Sequence, residues 1–158
     1  MIQLKFPNGN TQLWNFLLVL DKTSRFIYTH SLNRPTQKEV KEAFEALFKQ
    51  HMPKFPLVKT DRANLFINMK PFFAKHHMLW IPTRGIHHLS LLEPTMRFLK
   101  SKIIRYLHVH PSDYSPGGLA KILESATDSI NSTESVHGMT PKQVIFLVVL
   151  FSFCNPFF

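Results

Sequence analysis

Short apolar runs alternate with helical periodicities along this chain. Residues 15–20, Asn-Phe-Leu-Leu-Val-Leu, form a continuous apolar run, and 26–31, Phe-Ile-Tyr-Thr-His-Ser, are rich in aromatic and branched side chains. Both suit strands, and Asp21-Lys22-Thr23-Ser24 between them is the turn that makes a hairpin. Over 37–50 the period changes: Val40, Ala43, Phe44, Leu47 and Phe48 recur at helical spacing, while Glu39, Lys41, Glu42, Glu45 and Lys49 fill the opposite face. Thr36 followed by Glu39 predicts a capping box at the start of this helix, each side chain serving the other residue's free backbone N–H. Residues 56–60 read as a short strand that delivers Asp61 to its C-terminal end. A helix is expected from about Asn68, with Pro71 in its first turn, where the missing N–H costs little. A buried strand follows at 78–81. Strand, helix, strand implies a parallel pair with a right-handed crossover. A second long helix is predicted over 93–107, with Met96, Leu99, Ile103 and Tyr106 on its inner side and Arg97, Lys100, Lys102 and Arg105 left for solvent or a ligand. Another spans 117–130, with Leu119, Ile122, Leu123, Ala126 and Ile130 facing inward. The order predicts an α/β domain, a mixed sheet with helices packed against it.

Composition limits what such a domain can be. Its 158 residues suit one ordinary domain, and 44% hydrophobic with 18% charged residues excludes a disordered or low-complexity chain. Nineteen Lys and Arg against ten Asp and Glu leave a net charge of +9, which favours a polyanionic partner. The single cysteine, Cys154, rules out an intrachain disulfide framework and a cysteine-pair zinc site. No secretory signal opens the sequence, so an intracellular protein, nuclear or cytoplasmic, is expected. The run VIFLVVLFSFC at 144–154 is very apolar yet much shorter than the roughly 20 residues of a membrane span. No membrane partner is therefore expected. Either a terminal element packed on the core or a premature end fits this tail.

Among the ten acids, the glutamates of 37–50 and the pair Glu124 and Asp128 lie on polar helix faces, as solvated acids do. Asp61, just past an apolar strand, and Glu93, at a helix start after the next strand, are different. Two carboxylates converging from a strand end and a helix start suit a hard cation such as Mg²⁺, which takes few protein oxygens and leaves positions for phosphate and water. Asp21 is a hairpin-turn aspartate, a position usually held for backbone hydrogen bonds.

Four ordered blocks sharpen this reading: LLVLDKTSRFIYTHSL at 17–32, VKTDRANLFIN at 58–68, LLEPTMRFLKSKIIRYL at 91–107 and INSTESVHGMTPKQV at 130–144. Together they resemble the integrase catalytic cores of retroviruses and retrotransposons, above all the integrase-like reading frames of animal transposable elements. The resemblance covers about residues 12–144, leaving 145–158 as a tail outside it. It implies a ribonuclease H-like fold, with a five-stranded mixed sheet whose first three strands are antiparallel and with helices on both faces. It also implies divalent-metal phosphoryl transfer, in which an Asp-Asp-Glu triad holds two Mg²⁺ (or Mn²⁺) ions. Asp61 matches the second acid, and Glu93, followed by Arg97, Leu99, Lys100 and Arg105-Tyr106, resembles the helix that carries the third. The 31 residues between them are a few fewer than the family leaves, as a short deletion in the preceding loop would explain.

The first acid is missing. In the family it stands on the first strand, upstream of the turn that Asp21 matches, and residues 1–20 contain no Asp or Glu. Two cations about 4 Å apart would then lack the ligand that offsets their repulsion. The domain either starts upstream of Met1 or is a decayed copy. The family's glycine and glutamate after the second Asp are also replaced, by Ala63-Asn64-Leu65-Phe66, and the loop before Glu93 is apolar, Leu89-Ser90-Leu91-Leu92. Nine histidines, including His76-His77, His87-His88 and His108-x-His110, are expected on the surface or against DNA, because adjacent helical side chains diverge by about 100°. The family's His-His-Cys-Cys zinc module cannot be built with one cysteine. Arg97, Lys100, Lys102 and Arg105 are either a solvated helix face or phosphate contacts. The expectation is a DNA-binding integrase-core remnant. The alternatives are an active polynucleotidyl transferase whose first Asp lies upstream, and a protein-interaction module, with a homodimer among the possible partners.

Overall fold

The computed structural model describes residues 2–5, 11–51, 57–83, 91–111, 115–133 and 138–146. In chain order its elements are β1 (Ile2–Lys5), β2 (Thr11–Leu20), β3 (Ile27–Leu32), α1 (Gln37–His51), β4 (Leu57–Thr60), α2 (Asn64–Ile67), α3 (Lys70–Lys75), β5 (Leu79–Pro82), α4 (Leu92–Val109) and α5 (Pro116–Asn131). A further helical segment occupies 141–146. The mixed α/β class follows as the apolar pattern requires, and β4 and β5 form the expected parallel pair, Leu57 opposite Leu79 through Thr60 opposite Pro82.

Three features differ from the sequence reading. β1 lies where no strand is expected, and it pairs antiparallel with β2, Ile2 opposite Trp14 and Lys5 opposite Thr11. The helix expected from Asn68 is split into α2 and α3, Met69 capping the second with Pro71 in its first turn. The single five-stranded sheet is replaced, among the described residues, by a three-stranded sheet ordered β1-β2-β3 and the separate pair β4-β5. β1 and β4 are four residues long, so a ladder joining them could supply only about two or three hydrogen bonds.

The chain divides into two compact units, Met1–Leu17 with Leu32–Thr95, and Leu18–Ser31 with Met96–Phe158. The first is held by aromatic packing. α1 buries Val40, Ala43, Phe44 and Leu47, and Phe44 meets Phe73 of α3 edge to face, centroids 5.5 Å apart. Phe48 stacks on Phe72 at 6.3 Å. Phe73 and Met69 are fully buried, each contributing about 1.5–3 kcal/mol through removal of apolar surface from water. The α1 cap is half the expected box. The Thr36 hydroxyl accepts from the Glu39 N–H at 3.3 Å, but the Glu39 carboxylate accepts from the Arg34 N–H, at 3.2 and 3.1 Å, instead of returning to Thr36. Thr36 N–H is already committed to the Arg34 carbonyl.

In the second unit, α4 buries Leu99, Ile103 and Leu107, and α5 buries Leu119, Ile122, Leu123 and Ala126. Tyr106, expected inward, is 38% exposed, and Leu107 takes the inner position. The stripe Leu99, Ile103, Leu107 advances by four residues per step and so drifts away from Tyr106. Buried polar groups join α5 to β3. The Asn131 carboxamide accepts from the Ile27 N–H at 2.9 Å and donates to the Ile27 carbonyl at 2.8 Å, a side chain completing a strand's hydrogen bonds. The Thr127 hydroxyl donates to the Leu123 carbonyl, so in its 2.7 Å contact with Thr29 it must accept.

Candidate functional site

The parallel pair fixes the end of β4. Thr60 takes part in four interactions there: its carbonyl accepts from the Thr83 N–H at 2.9 Å and from the Thr83 hydroxyl at 3.0 Å, and its own hydroxyl accepts from the Trp80 indole N–H at 2.9 Å while donating to the Asp61 carbonyl at 2.7 Å. Thr60 and Thr83 are buried. Asp61 follows directly and is exposed. Its carboxylate accepts from the Ala63 N–H at 3.1 Å, a local turn that orients the side chain where the chain leaves the strand. The carboxyl ends of parallel strands are where open α/β sheets place ligands.

Glu93 lies in the first turn of α4 and is half-buried, next to the free N–H groups that favour a carboxylate there. Pro94 follows, and the Thr95 hydroxyl donates to the Leu91 carbonyl at 2.8 Å. Asp61 and Glu93 belong to the same compact unit, and neither is in an ion pair among the described residues. Their hard oxygens are of the right kind for Mg²⁺. However, no three possible ligands from His, Cys, Asp and Glu come together among the described residues. The described donor set does not fit a two-cation centre.

Asp21 behaves as the turn residue that its position predicts. Its Oδ2 accepts from the Ser24 N–H at 2.7 Å and from the Ser24 hydroxyl at 2.5 Å, while Ser24 Oγ accepts from the Phe26 N–H at 3.1 Å. Arg25 takes the left-handed conformation, φ 62°. Beside this turn, burial and then the negative charge of Asp21 push the Tyr28 phenol up to about 12.

The four basic residues of α4 divide into two kinds. Arg97 and Arg105 are exposed, while Lys100 and Lys102 are intermediate. Lys102 Nζ donates to Ser129 Oγ at 2.8 Å and sits 5.2 Å over the Phe98 ring. The histidines differ likewise. His77, His108 and His110 are exposed, with His110 beside Tyr106 at 4.6 Å. His76, expected on the surface, instead packs 5.1 Å from Phe48 and 4.6 Å from Phe72. His87, His88, the loop residues Leu89-Ser90 and the tail from 147 lie outside the described residues; Phe146 just before that tail is 61% exposed. No described helix is long and apolar enough to cross a membrane.

Sequence reasoning missed β1 and the Thr60–Trp80–Thr83 network. Apolar residues at alternate positions, Ile2 and Leu4, are a faint signal for β1, and a threonine at or just after each strand end is the only trace of the network.

No protein-family model matches this chain, and no curated protein resembles it significantly in sequence. Solved structures do match. The HTLV-2 integrase catalytic core domain in complex with magnesium, in its dimeric form, aligns over 91% of this chain and 90% of its own with TM-score 0.71 and 18% identity. The catalytic core domain of BIV integrase aligns over 97% and 95%, with TM-score 0.72 and 13% identity. The simian T-cell lymphotropic virus intasome in complex with the PP2A regulatory subunit B56 gamma gives TM-score 0.77 at 15% identity, over 91% of this chain and 51% of that one. The fold is that of integrase catalytic cores.

Proposed function

We propose that this chain is a nucleic-acid-binding, integrase-core-like domain of transposable-element origin that has lost strand-transfer activity. The observation that carries the proposal is the placement of the acids. Asp61 at the end of β4 and Glu93 in the first turn of α4 correspond to the second and third positions of the family triad. On this reading the first position falls on β1, Ile-Gln-Leu-Lys, the strand before the one that ends in the Asp21 turn. It has no carboxylate.

With two carboxylates instead of three, no step is assigned to a metal pair. What this chain's residues supply is charge. α4 carries four cations, Arg97, Lys100, Lys102 and Arg105, against the single acid Glu93, and such a charge excess attracts phosphates through release of their counterions. In the neighbours, magnesium accompanies the HTLV-2 core and the simian protein forms an intasome. DNA as partner, and self-association like the dimer of the HTLV-2 core, are proposed here by analogy with them. The test is fluorescence anisotropy with a short labelled duplex across a salt series. Binding should weaken steeply with salt, and the double variant Arg97→Ala, Arg105→Ala should lower the magnitude of the logarithmic salt slope by about 1–2, near 0.9 for each phosphate no longer neutralised. No binding to duplex at low salt would leave a protein-interaction module as the remaining reading.

A further inference from the structure

The parallel pair β4-β5 keeps one of its faces bare. Side chains alternate along a strand and opposite partners share a side, so Leu57 and Lys59 stand with Leu79 and Ile81, while Val58, Thr60, Trp80 and Pro82 stand on the other face. Burial follows this division. Thr60 is buried and Val58, Trp80 and Pro82 are intermediate, whereas Leu57 is 41%, Leu79 62% and Ile81 36% exposed. Parallel strands are almost always covered on both sides, because they carry apolar residues on both. Three adjoining aliphatic side chains left in water on such a pair therefore mark a contact surface. The face is bare in the single chain, so its cover comes from another molecule.

Two such faces do not suit each other. Three side chains fall far short of the roughly 800 Å² that each partner of a standard interface buries, and face-to-face packing would bring together the exposed Lys59 of each copy. An uncharged apolar segment fits better, and the chain itself has one. Residues 146–154, Phe-Leu-Val-Val-Leu-Phe-Ser-Phe-Cys, contain no charged residue and are rich in valine and phenylalanine, the kinds of side chain that pack on a pleated surface. This run leaves the described fold at Phe146, which is 61% exposed, just past a base fixed by the buried Pro141 and by Lys142 Nζ donating to Asp128 Oδ1 at 2.5 Å. We propose that the β4-β5 face formed by Leu57, Leu79 and Ile81 is the docking surface for the apolar run 146–154 of a second copy of this chain. Face and run are different parts of the chain, so the contact is heterologous: copies add head to tail, and only a reciprocal exchange closes a dimer. It does not depend on the nucleic-acid reading.

Sedimentation velocity of the full chain over a concentration series tests the contact. The unaltered protein should form dimers or larger species that dissociate on dilution. Leu79→Asp in the face and Leu150→Asp in the run should each weaken association about 10-fold or more, since an aspartate there must be desolvated without a partner. Leu79 is largely exposed, so circular dichroism and the melting temperature should be unchanged in Leu79→Asp, and Leu57→Asp, at the opposite position on β4, should repeat its effect. The two variants are then mixed. One copy keeps an intact face and the other an intact run, so the mixture should recover a heterodimer that neither variant forms with itself and that grows no further. Recovery of that species supports the face-to-run contact. A monomeric unaltered protein, association that survives either variant, or a mixture that stays monomeric overturns it, and none of these results bears on binding to duplex DNA.

Discussion

Individual side chains in this protein are explained by what they donate to or exclude, and the two aspartates near strand ends show how far that differs between positions. Asp21 spends its carboxylate on Ser24, whereas Asp61 is exposed, its carboxylate tied to the next turn. The Asp21 charge also acts on its neighbour Tyr28. Tyr28 ionises at about 12 instead of 10, from burial first and from Asp21 second. The unfolded chain gives up this proton near 10, but the folded protein holds it until about 12. Its contribution to stability is therefore complete below about pH 10 and is lost as pH rises through about 12. Denaturant unfolding across this window should show a decline that is shallower in Tyr28→Phe than in the unaltered protein; identical slopes would contradict the assignment.

Most helices and strands were legible in the sequence because their periodicity is strong. α1, α4 and α5 lie within two residues of their expected bounds, and β4 and β5 pair in parallel as the strand–helix–strand order requires. β1 was not legible, since four residues with a basic end and a proline nearby lack the β-branched density that marks a strand. Tyr106 was misplaced because a residue three beyond Ile103 is as compatible with the inner face as one four beyond it, and packing chose Leu107. The Asn131–Ile27 clamp was invisible for a different reason: the partners are 104 residues apart. Losing it should be costly. Asn131→Ala leaves the buried Ile27 N–H and carbonyl without a partner, and about 2–4 kcal/mol of stability should disappear, read as a lower denaturant midpoint with unchanged slope. A change below about 0.5 kcal/mol would mean that water replaces the carboxamide.

For the molecule as a whole, the proposed loss of activity separates fold from chemistry. The integrase-core fold persists at 13–18% identity to solved cores, because a fold needs apolar residues at the right period and tolerates many sequences. Phosphoryl transfer by two metals needs particular carboxylates at particular strand ends, and a scaffold can outlive them. The +9 charge is consistent with that division, since attraction to phosphate needs no triad. The positions of Asp61 just past β4 and of Glu93 in the first turn of α4 were readable in the sequence, whereas the Thr60 network was not, since it depends on backbone carbonyls. The most direct measurement is a strand-transfer and end-processing assay with labelled element-end DNA in Mg²⁺ and in Mn²⁺. The unaltered protein should bind the DNA yet yield no joined or processed product above the level of Asp61→Asn. Product formed by the unaltered protein and abolished by Asp61→Asn would contradict the loss of activity.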